Sequence, residues 1–202
     1  MTTPIAKSAL PARQEAIHRA ALQLFAERGY HGTAVPEVAS RAGVGTGTIY
    51  RYFDSKEVLV NAVFQRAKRL LRDHLLSEID LTQPPRQLFG MFWQSLTRFA
   101  RQWPLEFRFL ELQDHVPYLD TASRNIELEV LAPIFAWCVH ARRTGIARDM
   151  PAEALMAMIW GAFVGLFKAE YTDHITLDDS TLAAAEQACW ASFSNDTERT
   201  QP

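Results

Sequence analysis

Cysteine is scarce: the 202 residues include only Cys138 and Cys189, far apart and without metal-ligand spacing. This excludes a disulfide scaffold and leaves two buried thiols in a reducing compartment as the expectation. Bulk charge is also nearly missing, at a formal net −2, so overall electrostatics do not announce a nucleic-acid binder. No hairpin signal, internal repeat or low-complexity block occurs, which removes the usual all-β and solenoid patterns. The N-terminus lacks an apolar signal core. The most apolar later run, Leu155–Leu166, is shorter than the roughly 20 residues of a membrane span. A cytoplasmic protein without a membrane partner is therefore expected. Nor is there a nucleophile–base motif, a metal set or a glycine-rich phosphate loop following a strand. An enzyme is thus disfavoured, and no cofactor or metal is called for.

What the chain does have is helical periodicity and apolar content, 48% of residues. Ile17, Ala21, Leu24 and Phe25 recur on one helical face, and Gly29 stands where that helix would stop. A second helix opens at Thr33, a good N-cap residue, with Pro36 and Glu37 in its first turn and Gly43 at its end. A short third helix follows from about Gly45 to Tyr52. Asp54 or Ser55 caps a fourth, with Glu57 placed as in a capping box, running toward Leu76. After Pro84 and Pro85 come helices near 86–103, 105–112, 121–143 (with Pro133 expected to kink it), 151–171 and 179–193. The fold class is all-α with about nine helices. The expected division is a flexible arm over 1–12, a helix-turn-helix domain over 13–57, a larger helical domain over 58–195 and a tail over 196–202.

Two short helices joined at a glycine turn form a helix-turn-helix. Residues 1–57 hold seven Lys and Arg against five Asp and Glu, the sign of a DNA-reading head on an acidic body. The third helix is unusual for a core element. Gly47 costs it about 1 kcal/mol of helix propensity relative to alanine, which suits a close backbone approach by a phosphate or groove edge. Thr46, Thr48, Tyr50 and Arg51 carry donors for phosphates or base edges. Ile49, Tyr52 and Phe53 remain to anchor the helix. Tyr50 also admits a core role, and Lys56 that of an ordinary solvated lysine.

The string Ala21-Leu22-Gln23-Leu24-Phe25, Gly29-Tyr30, Thr33, Val38-Ala39, Ala42-Gly43-Val44, Gly47-Thr48-Ile49-Tyr50-Arg51-Tyr52-Phe53 and Ser55-Lys56-Glu57 resembles the DNA-binding domain of the TetR/AcrR family of transcriptional regulators. The resemblance implies phosphate contacts by Thr33, Tyr50 (or a thymine methyl) and Lys56, and a major-groove position for Thr46 and Thr48 with Gly47 between them. The chain departs from the family pattern at Gly45, where serine is common, at Thr46, where lysine is common, and at Arg51, where histidine is common. The partners so implied are an operator in double-stranded DNA, a small-molecule effector and a second copy of the chain. The implied function is that of a ligand-responsive regulator, a repressor by family default. The competing readings are a helical ligand-binding or interaction protein without DNA binding, and an α-helical enzyme.

The remaining helices suit sensing and dimerisation. Phe89, Trp93, Phe109, Trp137 and Phe163 are the expected lining of an aromatic effector pocket, with Glu106, Asp114, His115 and His140 as the nearest polar groups. Gly161 and Gly165, with Ala185, Cys189 and Trp190 on the last helix, are the expected dimer contacts. Glu111/His115 and Glu170/His174 are i, i+4 pairs, best read as exposed helix pairs.

Overall fold

A computed structural model describes residues 12–80, 82–115 and 117–195. The tail expected over 196–202, and all of the expected arm but Ala12, lie outside the described residues. Nine helices appear among the described residues: α1 (Ala12–Arg28), α2 (Val35–Ala42), α3 (Thr46–Tyr50), α4 (Lys56–Glu78), α5 (Pro85–Gln102), α6 (Pro104–Leu112), α7 (Thr121–Arg143), α8 (Ala152–Tyr171) and α9 (Asp179–Phe193). The only strand-like pairing among them is an isolated bridge between Ala147 and Ser194. The fold is all-α.

The described residues divide into two compact units, 12–67 with 105–123, and 68–104 with 124–195. The breaks therefore fall within α4 and α7, and α6 after Pro104 joins the N-terminal unit. The sequence expectation divides the chain instead by a single cut after residue 57, with α6 in the larger domain.

In the first unit α1 buries Ile17, Ala21, Leu24 and Phe25, the residues its periodicity selects. Gly29 ends the helix in the left-handed region at φ 68, where a Cβ would be strained. Gly43 closes α2 at φ 67, and the Val44 N–H reaches back to the Ala39 carbonyl, the 6→1 bond of a Schellman cap. The start of α2 differs from expectation. Its N-cap is Ala34, whose N–H donates to the Glu37 carboxylate at 3.0 Å. Thr33 is turned inward, 2% exposed, and its hydroxyl donates to the Gly29 carbonyl. Ser55 caps α4, accepting from the Val58 N–H at 3.2 Å.

His18 lies on α1, 7% exposed. Burial, reinforced by the Arg66 guanidinium, holds its pKa down to about 4 against an ordinary 6.5, with Glu15 opposing. The folded state thus binds this proton less readily than the unfolded chain. The group contributes no pH dependence above 6.5, and stability falls as pH drops from 6.5 toward 4, by roughly 3 kcal/mol in all. In urea titrations over this window, the curve of His18→Gln is expected to diverge from wild type by that amount. Parallel curves would count against a buried neutral imidazole.

In the second unit α5 buries Leu88, Phe89, Trp93, Leu96 and Phe99. Asp178 caps α9, accepting from the Thr181 N–H at 2.7 Å. α7 continues through Pro133. Cys138 and Cys189 are free and buried, their thiols pushed up to about 11 by burial, which makes them poor nucleophiles. α8 is more extensive than its apolar run suggests. Its 20 residues are long and apolar enough to cross a membrane by length and composition, yet only 22% of its most apolar window is buried.

Candidate functional site

The first unit presents α3 outward. Ile49 (1% exposed) and Phe53 (5%) pin it from beneath. On its outer side Tyr50 is 50% exposed and Tyr52 38%, and Gly47 and Arg51 are also exposed, with Thr46 and Thr48 half-buried. The core role considered for Tyr50 does not hold, and Tyr52, expected in the core, is at the surface as well. The hydroxyls of Thr46, Thr48 and Tyr50 and the Arg51 guanidinium make no hydrogen bond or ion pair with the described residues. Neighbouring cations are engaged: Arg28 pairs with Glu37 at 2.9 Å and Arg41 with Glu27 at 3.3 Å. Uncommitted donors thus line α3 and its C-cap residue Arg51.

A Cβ on Gly47 would meet nothing within 4 Å, and its φ is not positive. No packing or backbone constraint among the described residues demands glycine there. Gly47→Ala is therefore expected to stabilise the protein by up to about 1 kcal/mol. A gain in melting temperature together with weaker DNA binding would assign the glycine to a close approach from outside.

Thr33 and Lys56 stand differently from the α3 residues. Both Thr33 donors are used within the chain, the hydroxyl by Gly29 and the N–H by the Tyr30 carbonyl, so this residue has no donor left for a phosphate. Lys56 is half-buried, its Nζ 4.1 Å from the centre of the Tyr30 ring, and burial lowers its pKa. Tyr30 in turn stacks on Tyr118 at 4.4 Å. Lys56 is thus a positioned cation rather than a freely solvated one.

The second unit contains an aromatic cavity. Phe89, Trp93, Trp137 and Phe163, four of the five expected residues, line it, together with Phe92, Leu96, Ile134, Ile159 and Trp160. The additional residues lie within one turn of expected ones: Ile134 three before Trp137, Ile159 four before Phe163. Helical spacing was the available signal for them. Phe109 is not part of this wall. It lies in the first unit, where its ring meets Phe25 at 6.2 Å and His115 at 4.6 Å. None of Glu106, Asp114, His115 or His140 lines the cavity. Free space inside is about 30 Å³, enough for water but not for a drug-sized molecule. Trp93 also lines a groove of about 270 Å³ of mixed character, with Gln94, Thr97, Arg98, Asp179, Leu182, Ala183 and Glu186.

Of the expected dimer contacts, Gly161 and Gly165 are exposed and Ala185 half-buried. Cys189 (8% exposed) and Trp190 (7%) face inward. The Trp190 ring packs on Phe89 at 5.4 Å and Phe193 at 5.3 Å, so it belongs to the protomer's own core. The i, i+4 pairs are otherwise engaged. His115 is buried, bonded to the Phe109 carbonyl and the Tyr118 hydroxyl. Glu170 pairs with Arg101, and His174 bonds Thr172.

A short outward helix after a glycine turn, with unengaged donors, marks the first unit as a helix-turn-helix, and the second unit is helical with an apolar cavity. Comparison with known proteins agrees. The profile described as bacterial regulatory proteins, tetR family, matches residues 17–63. That described as tetracyclin repressor-like, C-terminal domain, matches residues 64–195. The chain belongs to the TetR family of bacterial transcriptional regulators, whose members are DNA-binding helix-turn-helix proteins. Among its relatives is the transcriptional repressor DhaR of Mycobacterium sp. strain GP1, 29% identical over 76% of this chain and 81% of that protein. Another is the transcriptional activator FasR of Mycolicibacterium smegmatis, 26% identical over 87% and 80%. The fold is shared with a TetR-family regulator from Marinobacter aquaeolei (TM-score 0.78, 20% identity, covering 91% and 96% of the two chains). It is shared also with Bacillus subtilis FadR in complex with stearoyl-CoA (TM-score 0.68, 19% identity, covering 88% and 96%).

Proposed function

We propose that this protein is a homodimeric repressor that grips a palindromic operator through α3 and is released by a small, largely apolar or aromatic effector held in the cavity of its second unit. The observation that carries the DNA reading is the set of unengaged donors on the outer side of α3. Thr46, Thr48 and Arg51 are the base-reading candidates, Tyr50 meets a phosphate or thymine methyl, and Lys56 meets a phosphate. Thr33, having spent both donors, acts by fixing the entry to α2.

Dimerisation is supported by α8. Ala154, Ala157, Met158, Gly161, Ala162 and Gly165 are exposed along it. An apolar surface rich in small residues suits close packing against the same helix of a second copy, a better match than lipid for a chain of this family. Ala185 extends the contact to α9. The protein then works in the cytoplasm with no membrane partner.

Repression requires only occupancy of the operator. A tenfold change in operator affinity needs about 1.4 kcal/mol of differential effector binding between two conformers. Selection from a random-sequence duplex pool with the purified protein tests the reading. The expected product is an inverted repeat whose half-sites lie roughly 34–36 Å or a multiple apart, and a reporter under it should rise when the protein is removed. Recovery of no common sequence would refute DNA reading, and a falling reporter would make the protein an activator.

A further inference from the structure

The cavity of the second unit is chemically one-sided. Its lining consists of Phe, Leu, Ile and Trp side chains only. The hydrogen-bonding atoms these carry are indole N–H groups, which donate and never accept. Two of them, Nε1 of Trp93 on α5 and Nε1 of Trp137 on α7, are buried and meet no acceptor among the described residues. The two side chains are only 4% and 8% exposed. Buried indole N–H groups ordinarily find a partner, and leaving one without any costs free energy. Two such groups on side chains that line one cavity, contributed by different helices, call for an explanation.

Their surroundings narrow the choice of acceptor. Phe89 lies 6.0 Å from Trp93 and 6.1 Å from Trp137, and Phe163 meets Trp93 edge-on at 5.2 Å. Water suits such a site poorly. It can accept from both indoles, but its own two hydrogens then face side chains that offer no acceptor. A carboxylate, phosphate or ammonium group would lose its hydration with no counter-charge in the wall. A carbonyl or ether oxygen accepts twice, donates nothing and carries no charge.

We propose that the effector is an uncharged, mostly apolar molecule with a carbonyl or ether oxygen, held by the indole N–H groups of Trp93 and Trp137. The proposal rests on the reading of this cavity as the effector site. With about 30 Å³ free, the aromatic walls must part as the ligand enters.

Acetophenone and ethylbenzene test it, being alike in shape and differing in one carbonyl. Each is titrated calorimetrically into the full-length protein and followed by 15N-indole NMR, with Trp93→Phe and Trp137→Phe assigning the signals. Acetophenone is expected to bind at least tenfold more tightly, although ethylbenzene is the more hydrophobic. The indole N–H signals of Trp93 and Trp137 should move downfield with the ketone alone, and each Phe variant should lose most of the preference. If a variant fails to fold, the ketone-specific shift of two indole signals in the wild-type protein still decides. Equal affinities with unmoved indole signals would overturn the donor assignment and leave the cavity a binding site. Failure of both probes to bind would overturn the donor assignment and the effector site together. Ketone-specific binding that never releases the operator would sustain the donor assignment and overturn the effector reading.

Discussion

Phe109→Ala is expected to destabilise the protein by about 3–5 kcal/mol, the usual cost of deleting a buried phenylalanine ring, while leaving binding of apolar probes to the second unit unchanged. Phe109 is 1% exposed and stands at the centre of an aromatic group: its ring meets Phe25 and His115, and His115 in turn lies 5.0 Å from Phe64. Truncation leaves a void among residues from α1, α4 and the α6–α7 connection. It also removes the packing that holds His115 against the Phe109 carbonyl and the Tyr118 hydroxyl. Urea denaturation and a probe titration on the same variant separate the two roles. A stable variant that has lost probe binding would return Phe109 to the pocket and contradict the division of the chain into units given above.

Asn61→Leu should cost a comparable amount for a different reason. Asn61 is 4% exposed, and its amide is fully used. Nδ2 donates to the carbonyls of Glu57 (2.9 Å) and Tyr118 (2.8 Å), while Oδ1 accepts from the Asp120 N–H (2.9 Å) and the Ser123 hydroxyl (2.7 Å). Leucine has nearly the same shape and none of these atoms. The Ser123 hydroxyl is left without its acceptor at a fully buried residue, and the Asp120 N–H and Tyr118 carbonyl lose their partners in part-buried positions. At about 1–3 kcal/mol for each unsatisfied buried group, a loss of roughly 3–5 kcal/mol follows. Hydrogen exchange should accelerate most at the Asp120 amide, which loses its acceptor directly. Uniform acceleration with a small stability change would mean that the network is dispensable.

Much of this molecule is legible in the order of its residues. The glycines at 29 and 43, the stripe of α1 and the short α3 with its donors are local matters, decided by helix periodicity and by the left-handed conformation that Gly29 and Gly43 adopt. Thr33 shows how local reasoning goes astray. Threonine is a good N-cap, but here the inward hydroxyl has the Gly29 carbonyl within reach, and Glu37 caps the Ala34 N–H instead. Phe109 and Trp190 show a second limit. Periodicity reports that a side chain is buried, not against what. Phe109 finds Phe25, 84 positions away, and Trp190 finds Phe89, 101 positions away. Such choices are made by packing across the fold and leave no trace in spacing. The cavity was more visible, because its aromatic residues share helix faces within one unit. The orphan indole donors that give it a chemical preference appear only when every neighbour is known.

Arg51 offers the most direct test of the central claim, that the outer side of α3 reads DNA. It is exposed, permanently charged and engaged by nothing in the described chain. The measurement is a second random-pool selection carried out with Arg51→Ala. If α3 reads the operator, the recovered inverted repeat keeps its spacing and loses preference at one symmetry-related position in each half-site, with affinity for the original site falling by about 1–3 kcal/mol. Recovery of the unaltered sequence at unaltered affinity would show that this surface does not read the operator.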